Sequence, residues 1–179
     1  MSDLGESATR DPFGIVRSGH CCFGCGNDNP IGLRLRFAPH GEGVKASFVA
    51  GPEHQGFEDV VHGGIISTIL DEAMAWATAH ARVWAVIGEM RVRFRQPLKI
   101  GEPTTVVARV SGTRGRLVMT AAELQLDRDG SPVATSSATF VNVDAAVEAD
   151  WRARYLRDSG IEAAEERVDP RNATKTSGE

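Results

Sequence analysis

Apolar and polar residues alternate with a period of two over several stretches of the chain and with a period near 3.6 over one, and this contrast predicts its elements. Leu33, Leu35 and Phe37 alternate with Arg34 and Arg36, and beyond Gly41 and Gly43 the residues Val44, Ala46 and Phe48 alternate with Lys45 and Ser47. That pattern predicts a hairpin of two strands. A helix is predicted over residues 65–81, where Ile66, Ile69, Leu70, Ala73 and Ala77 fall on one stripe with Trp76 and Met74 at its edges. Strand-like runs follow at residues 86–95, 104–114 and 117–127, and Asp129-Gly130 turns the chain into a last run at 132–143. One helix after the second of six strands, with no repeating βαβ unit, predicts an α+β fold with a mainly antiparallel sheet.

The flanks differ from this middle. Residues 1–19 read as a polar, flexible lead, residues 20–143 as the domain, and residues 144–179 as an extension in which Val147, Trp151 and Tyr155 recur at spacing four before an acidic, disordered end. A length of 179 residues suits one domain with a core of its own. Residues 1–11 carry no apolar run behind a basic start, so a cytoplasmic location is expected. Apolar stretches fall far short of the roughly 20 residues that cross a bilayer, so no membrane association is expected. With 20 Lys and Arg against 24 Asp and Glu, the net charge of −4 gives no global attraction to nucleic acid. Any polyanionic ligand must be met by local cations.

The chemistry concentrates between His62 and Glu72. Gly63 and Gly64 open the predicted helix, whose first N–H groups have no intrahelical partner and can polarise a carbonyl oxygen that is gaining charge. Asp71 and Glu72 interrupt the apolar helix on opposite flanks of its stripe, so a pocket at one edge sees one carboxylate, and periodicity does not choose which. On spacing alone, an ordinary tight loop followed by two solvated acids fits equally well.

His62-Gly63-Gly64 followed by Leu70-Asp71-Glu72 resembles the signature of the PaaI-like hotdog-fold thioesterases. The likeness extends to Cys22-Phe23-Gly24-Cys25-Gly26, Asn29-Pro30-Ile31-Gly32-Leu33, His54-Gln55-Gly56-Phe57, and Val92-Arg93-Phe94 running into Gln96-Pro97, and so covers residues 20–143. The resemblance implies a hotdog fold, a long helix wrapped by an antiparallel sheet, and an active site shared across a homodimer or homotetramer. It also implies hydrolysis of an acyl-CoA thioester with no dissociable cofactor. By the same resemblance Asp71 is the catalytic carboxylate, nucleophile or general base. Gly63 and Gly64 offer the oxyanion N–H, with Gly64 nearer the helix proper, His62 shapes the loop, and Gln55 holds water or thioester. Relatives carry a Ser or Thr near the start of the third strand, and Val86-Ile87-Gly88-Glu89-Met90 has neither. That absence favours acyl-CoA binding without catalysis as an alternative to hydrolysis; hydration or dehydration of an enoyl-CoA, another hotdog chemistry, needs a His paired with an acid, and the Asp71 motif argues against it.

Two clusters remain. Arg91, Arg93 and Arg95 line one side of a strand, and Arg93 and Arg95 are the candidates for the CoA phosphates. His20, Cys22 and Cys25 have the spacing of half a zinc site, but no second Cys pair or His pair follows, so no metal is expected and the thiols are expected free.

Overall fold

The computed structural model describes residues 20–155. The expected lead at 1–19 and the end of the tail at 156–179 lie outside the described residues. The chain runs β1 (Ala38–His40), β2 (Gly43–Val49), a single 3-10 turn at Pro52–His54, α1 (Gly63–His80), β3 (Ala85–Phe94), β4 (Pro103–Arg114), β5 (Leu117–Leu126), β6 (Pro132–Asn142) and α2 (Ala145–Tyr155). All six strands form one sheet in the order β1-β2-β4-β5-β6-β3, every neighbouring pair antiparallel. This is the α+β arrangement expected from the alternating periods.

The helix lies on the sheet because its stripe is apolar and has nowhere else to go. Ile69, Leu70 and Ala73 are wholly buried, and Ile66, Trp76 and Ala77 nearly so. Met74, expected at the stripe's edge, is wholly buried as well. From the sheet side Val106, Val118, Leu124, Val133, Ala134 and Phe140 meet them. Each large aliphatic side chain taken from water here contributes about 1.5–3 kcal/mol. α1 ends where Arg82 takes a left-handed φ of 61° and the Ala81 N–H closes on the Ala77 carbonyl.

The first predicted strand is placed differently. Leu33, Leu35 and Phe37 are buried as the alternation requires, but β1 covers only Ala38–His40. The Leu33 and Leu35 N–H groups bond the carbonyls of Phe23 and Gly24 instead of a strand, and Arg34 has a positive φ of 53°. An inward-facing period of two therefore survives in a segment that pairs with the cysteine loop.

The sheet's two edges are β1 and β3. Among the described residues β3 pairs only with β6, through a register shift between Ile87 and Glu89 that leaves Gly88 unmatched. Its Met90 and Val92 pack partly against the core, while Val86, Ile87 and Phe94 are 46%, 40% and 52% exposed. After β6, Asp144 caps α2, its carboxylate accepting the N–H groups of Ala146 and Val147 at 3.0 and 2.9 Å. Trp151 of α2 packs edge-on against Trp84, ring centroids 6.3 Å apart. The spacing-four pattern of the extension thus docks a helix beside the start of β3. Among the described residues no helix is long and apolar enough to cross a membrane.

Candidate active site

The approach to α1 is held by backbone. The Val61 N–H bonds the Leu98 carbonyl at 2.9 Å and the His62 N–H bonds the His54 carbonyl at 2.8 Å, while Gln55 bridges to Val61. His54 is an anchor of this loop: its Nδ1 accepts the Gly51 N–H at 3.0 Å and its ring lies against Phe48. Gln55 is exposed, and its Oε1 accepts the Asp59 N–H at 3.1 Å, which fixes the amide beside the loop that leads into His62.

His62 is the N-cap of α1, and its imidazole Nδ1 accepts the N–H of Gly64 at 2.9 Å. The family resemblance implies Gly63 and Gly64 as donors to a substrate oxygen, and in this geometry the Gly64 N–H is already used by the cap. The N–H of Gly63 bonds no group among the described residues and sits at the positive end of the helix dipole. Ser67 Oγ donates to the Gly63 carbonyl and Thr68 Oγ1 to the Gly64 carbonyl, at 2.9 and 3.0 Å, so this first turn is pinned from both faces. Phe94, the last residue of β3, lies beside Gly63: a Cβ there would meet its ring at 3.4 Å. Being half exposed at the sheet edge, it walls the helix start.

Asp71 is half-buried on α1, and its carboxylate has no hydrogen-bond partner among the described residues. Burial pushes its carboxyl above the usual carboxylate range, and the neighbouring charge of Glu72 adds to this. At 1.5 Å rise per residue, Asp71 lies roughly 12 Å along the axis from Gly63.

Glu72 is no solvated surface acid. Its Oε1 accepts the Trp76 indole N–H at 3.0 Å, and its Oε2 accepts from Cys22 Sγ at 3.4 Å. Burial above all, with the Cys22 charge next, pushes its carboxyl up to about 7. Cys22 is half-buried and Cys25 buried; both are free thiols, as expected, while Cys21 is exposed. The hydrogen bond from the Cys25 thiol, helped by the backbone N–H groups of Cys25 and Gly24, lowers the Cys22 thiol to about 5, and that same bond with burial pushes the Cys25 thiol up. The signal that could have found this contact was the acid itself, a charge next to the apolar stripe of a helix packed on a sheet.

The basic strand divides. Arg91 pairs with Glu89 at 2.9 Å, both exposed, whereas Arg93 and Arg95 are exposed and form no ion pair among the described residues. A groove of about 480 Å³ lies elsewhere, lined by residues that include Ile31, Arg34, Phe48, Val49 and His54, and none of Gly63, Asp71 or Phe94 borders it.

Residues 58–133 match the model of the thioesterase superfamily. No curated protein matches the sequence. Among solved structures, a thioesterase superfamily protein aligns at 22% identity with a TM-score of 0.61, over 64% of this chain and 56% of that one. The chain thus spans little more than half the length of that protein. The Escherichia coli PaaI protein from the phenylacetic acid degradation operon aligns at 19% identity with a TM-score of 0.58, over 62% of this chain and 84% of that one. A hypothetical thioesterase from Streptococcus pneumoniae, solved with coenzyme A, aligns at 12% identity with a TM-score of 0.57, over 61% and 85% of the two chains.

Proposed function

We propose that the chain hydrolyses an acyl-CoA thioester to the free acid and CoA at a site built by two copies of the chain; the match of residues 58–133 to the thioesterase superfamily model and the fold shared with the PaaI protein support this reading. The observation that carries this reading is the Asp71 carboxylate: half-buried, unpartnered among the described residues, raised in pKa, and on the helix whose first N–H is free. A carboxylate held this way is a stronger base than a solvated one.

Gly63 and Asp71 of one chain are too far apart to touch one carbonyl carbon, for which each needs to be within about 3 Å. The unpaired edge of β3, with Val86, Ile87 and Phe94 exposed, offers the means of joining a second copy. The Gly63 N–H of one protomer then polarises the thioester oxygen, and Asp71 of the partner subunit acts on the carbon. As nucleophile, the carboxylate adds to the carbonyl and CoA leaves as thiolate, giving a mixed anhydride that water cleaves. As general base, it takes a proton from the attacking water and returns it to the departing sulfur. Gly64 serves as the Cβ-free position that lets His62 cap the helix, Gln55 orients water or thioester beside the loop, and Arg93 with Arg95 meets the CoA phosphates.

Asp71→Asn keeps the size of the side chain and removes its basicity. Release of free thiol from a panel of aryl-CoA and linear acyl-CoA esters is expected to fall by at least about a hundredfold, the usual scale for losing a general base. Wild-type rates in the mutant defeat the assignment. The absence of a hydroxyl between Val86 and Met90 favours one other reading, acyl-CoA binding without turnover. Tight binding of the esters by the wild-type chain with no thiol release over the whole panel selects it.

A further inference from the structure

The loop that carries Cys22 and Cys25 is built around the carboxylate of Glu72, a residue that hydrolysis does not use. The Sγ atoms of Cys22 and Cys25 and a carboxylate oxygen of Glu72 all lie within 4.8 Å of one another. Tetrahedral zinc with Zn–S bonds of about 2.3 Å spaces two sulfurs about 3.8 Å apart, which fits this cluster. We propose that Cys22 Sγ, Cys25 Sγ and a carboxylate oxygen of Glu72 bind a thiophilic divalent cation of the zinc type, with a water in the fourth position, tying the amino-terminal loop to α1.

Four features of the surroundings support the site. Gly24 has no room for a side chain, since a Cβ would lie 2.3 Å from Glu72 Oε2, and a Cβ at Gly26 would lie 2.4 Å from the His20 carbonyl oxygen. The loop closes on itself through the Gly26 N–H to the Cys22 carbonyl at 2.9 Å, and is fixed to the chain beyond it by Leu33, Leu35 and the Arg36 guanidinium, which donates to the Cys25 carbonyl at 2.9 Å. Glu72 is oriented from behind: Trp76 holds Oε1, and Phe37 stacks on Trp76 at 5.5 Å, so Oε2 is turned to the sulfurs. Such a supporting partner is what a ligating carboxylate needs to keep its direction. Finally, two thiolates and one carboxylate carry three negative charges, and a divalent cation offsets two of them, which a partly buried anionic cluster needs. His20, grouped with the cysteines by spacing, is not among the side chains brought within this range; Glu72 takes its place from fifty positions away.

The test uses the full chain, reduced and stripped with a chelator, titrated with Co2+ under anaerobic conditions. A single Co2+ per chain is expected, with a sulfur-to-cobalt charge-transfer band and tetrahedral d–d absorption, both bleached by Zn2+. Cys22→Ser and Cys25→Ser are each expected to reduce that band, and Glu72→Gln to keep it while weakening Co2+ at least tenfold. Far-UV circular dichroism establishes that each variant is folded, and the wild-type spectrum depends on no variant. The proposal fails if wild type shows no charge-transfer band, if Cys22 and Cys25 form a disulfide in place of binding the ion, or if Glu72→Gln leaves the affinity unchanged. None of these readouts involves thioester hydrolysis, so the site and the enzymatic reading stand or fall separately.

Discussion

The imidazole of His62 takes the N–H of Gly64 at 2.9 Å and thereby leaves the preceding N–H, that of Gly63, as the donor at the mouth of α1. The two glycines of the His-Gly-Gly motif thus differ in setting. The Gly63 N–H bonds no group among the described residues, and Gly64 makes room for the cap, since a Cβ there would stand 2.9 Å from His62 Nδ1.

This division can be tested with proline. Gly63 is the first residue of α1, a position where proline fits and removes only an N–H that no helical bond uses. Gly63→Pro is expected to fold and to lose thioester hydrolysis. Asp71→Asn loses it for another reason. If the site draws Gly63 from one subunit and Asp71 from the other, unfolding and refolding the two inactive variants together restores one intact site in each mixed dimer. About a quarter of wild-type activity is then expected, from random pairing of the two chains. A site contained in one chain recovers nothing.

The free edge of β3 gives a second expectation. Replacing Ile87, 40% exposed on that edge, by lysine places a charge where a second copy is to pair. Ile87→Lys is expected to shift the protein to a monomer in light scattering while leaving its circular dichroism unchanged, and hydrolysis is expected to vanish with the dimer. Unaltered mass places the interface elsewhere.

Trp76→Phe keeps an aromatic ring against Phe37 and deletes the indole N–H that Glu72 accepts at 3.0 Å. Above pH 7, where Glu72 is ionised, loss of a hydrogen bond to this mostly buried group costs about 1.5–3 kcal/mol. Chemical denaturation in the presence of a chelator is expected to show a loss of this size, and no loss would mean that Glu72 finds another donor.

The turn between β5 and β6 has its own pH signature. Ser131, and then Arg128, hold the Asp129 carboxyl down at about 2, with the Ser131 N–H at 2.9 Å and Arg128 Nε at 3.2 Å. A carboxyl lowered in the folded state stabilises the fold above its unfolded pKa and loses that contribution as pH falls through the folded one. Titration followed by NMR is expected to place the Asp129 midpoint near 2, and Asp129→Asn to remove it. A midpoint near the ordinary carboxylate value would show the turn open in solution.

Much of the fold was legible because each period had one interpretation. The apolar stripe of α1 and the alternation of β2 to β6 correspond to the observed elements within a few residues, since a face that must be buried leaves little freedom of register. The segment at Leu33–Phe37 shows the limit: alternation reports which side chains face inward, and here the backbone bonds of a loop satisfy it as well as a ladder does. At the candidate site, the His62-Gly63-Gly64 motif and Asp71 could be singled out from the sequence, and they stand at the start and in the middle of α1. Which glycine N–H is free was not, because that depends on the rotamer of His62. Glu72 escaped for a different reason, its partners being fifty positions distant in sequence.

The order of the strands in the sheet also bears on how the chain is made. β3 leaves the ribosome before β4, β5 and β6, yet its neighbour within the chain is β6, about forty positions further on. At about 5–20 residues per second, β3 waits roughly 2–10 s before the strand that pairs with it has been made. β3 can therefore close onto the sheet of its own chain only after β6 has been made.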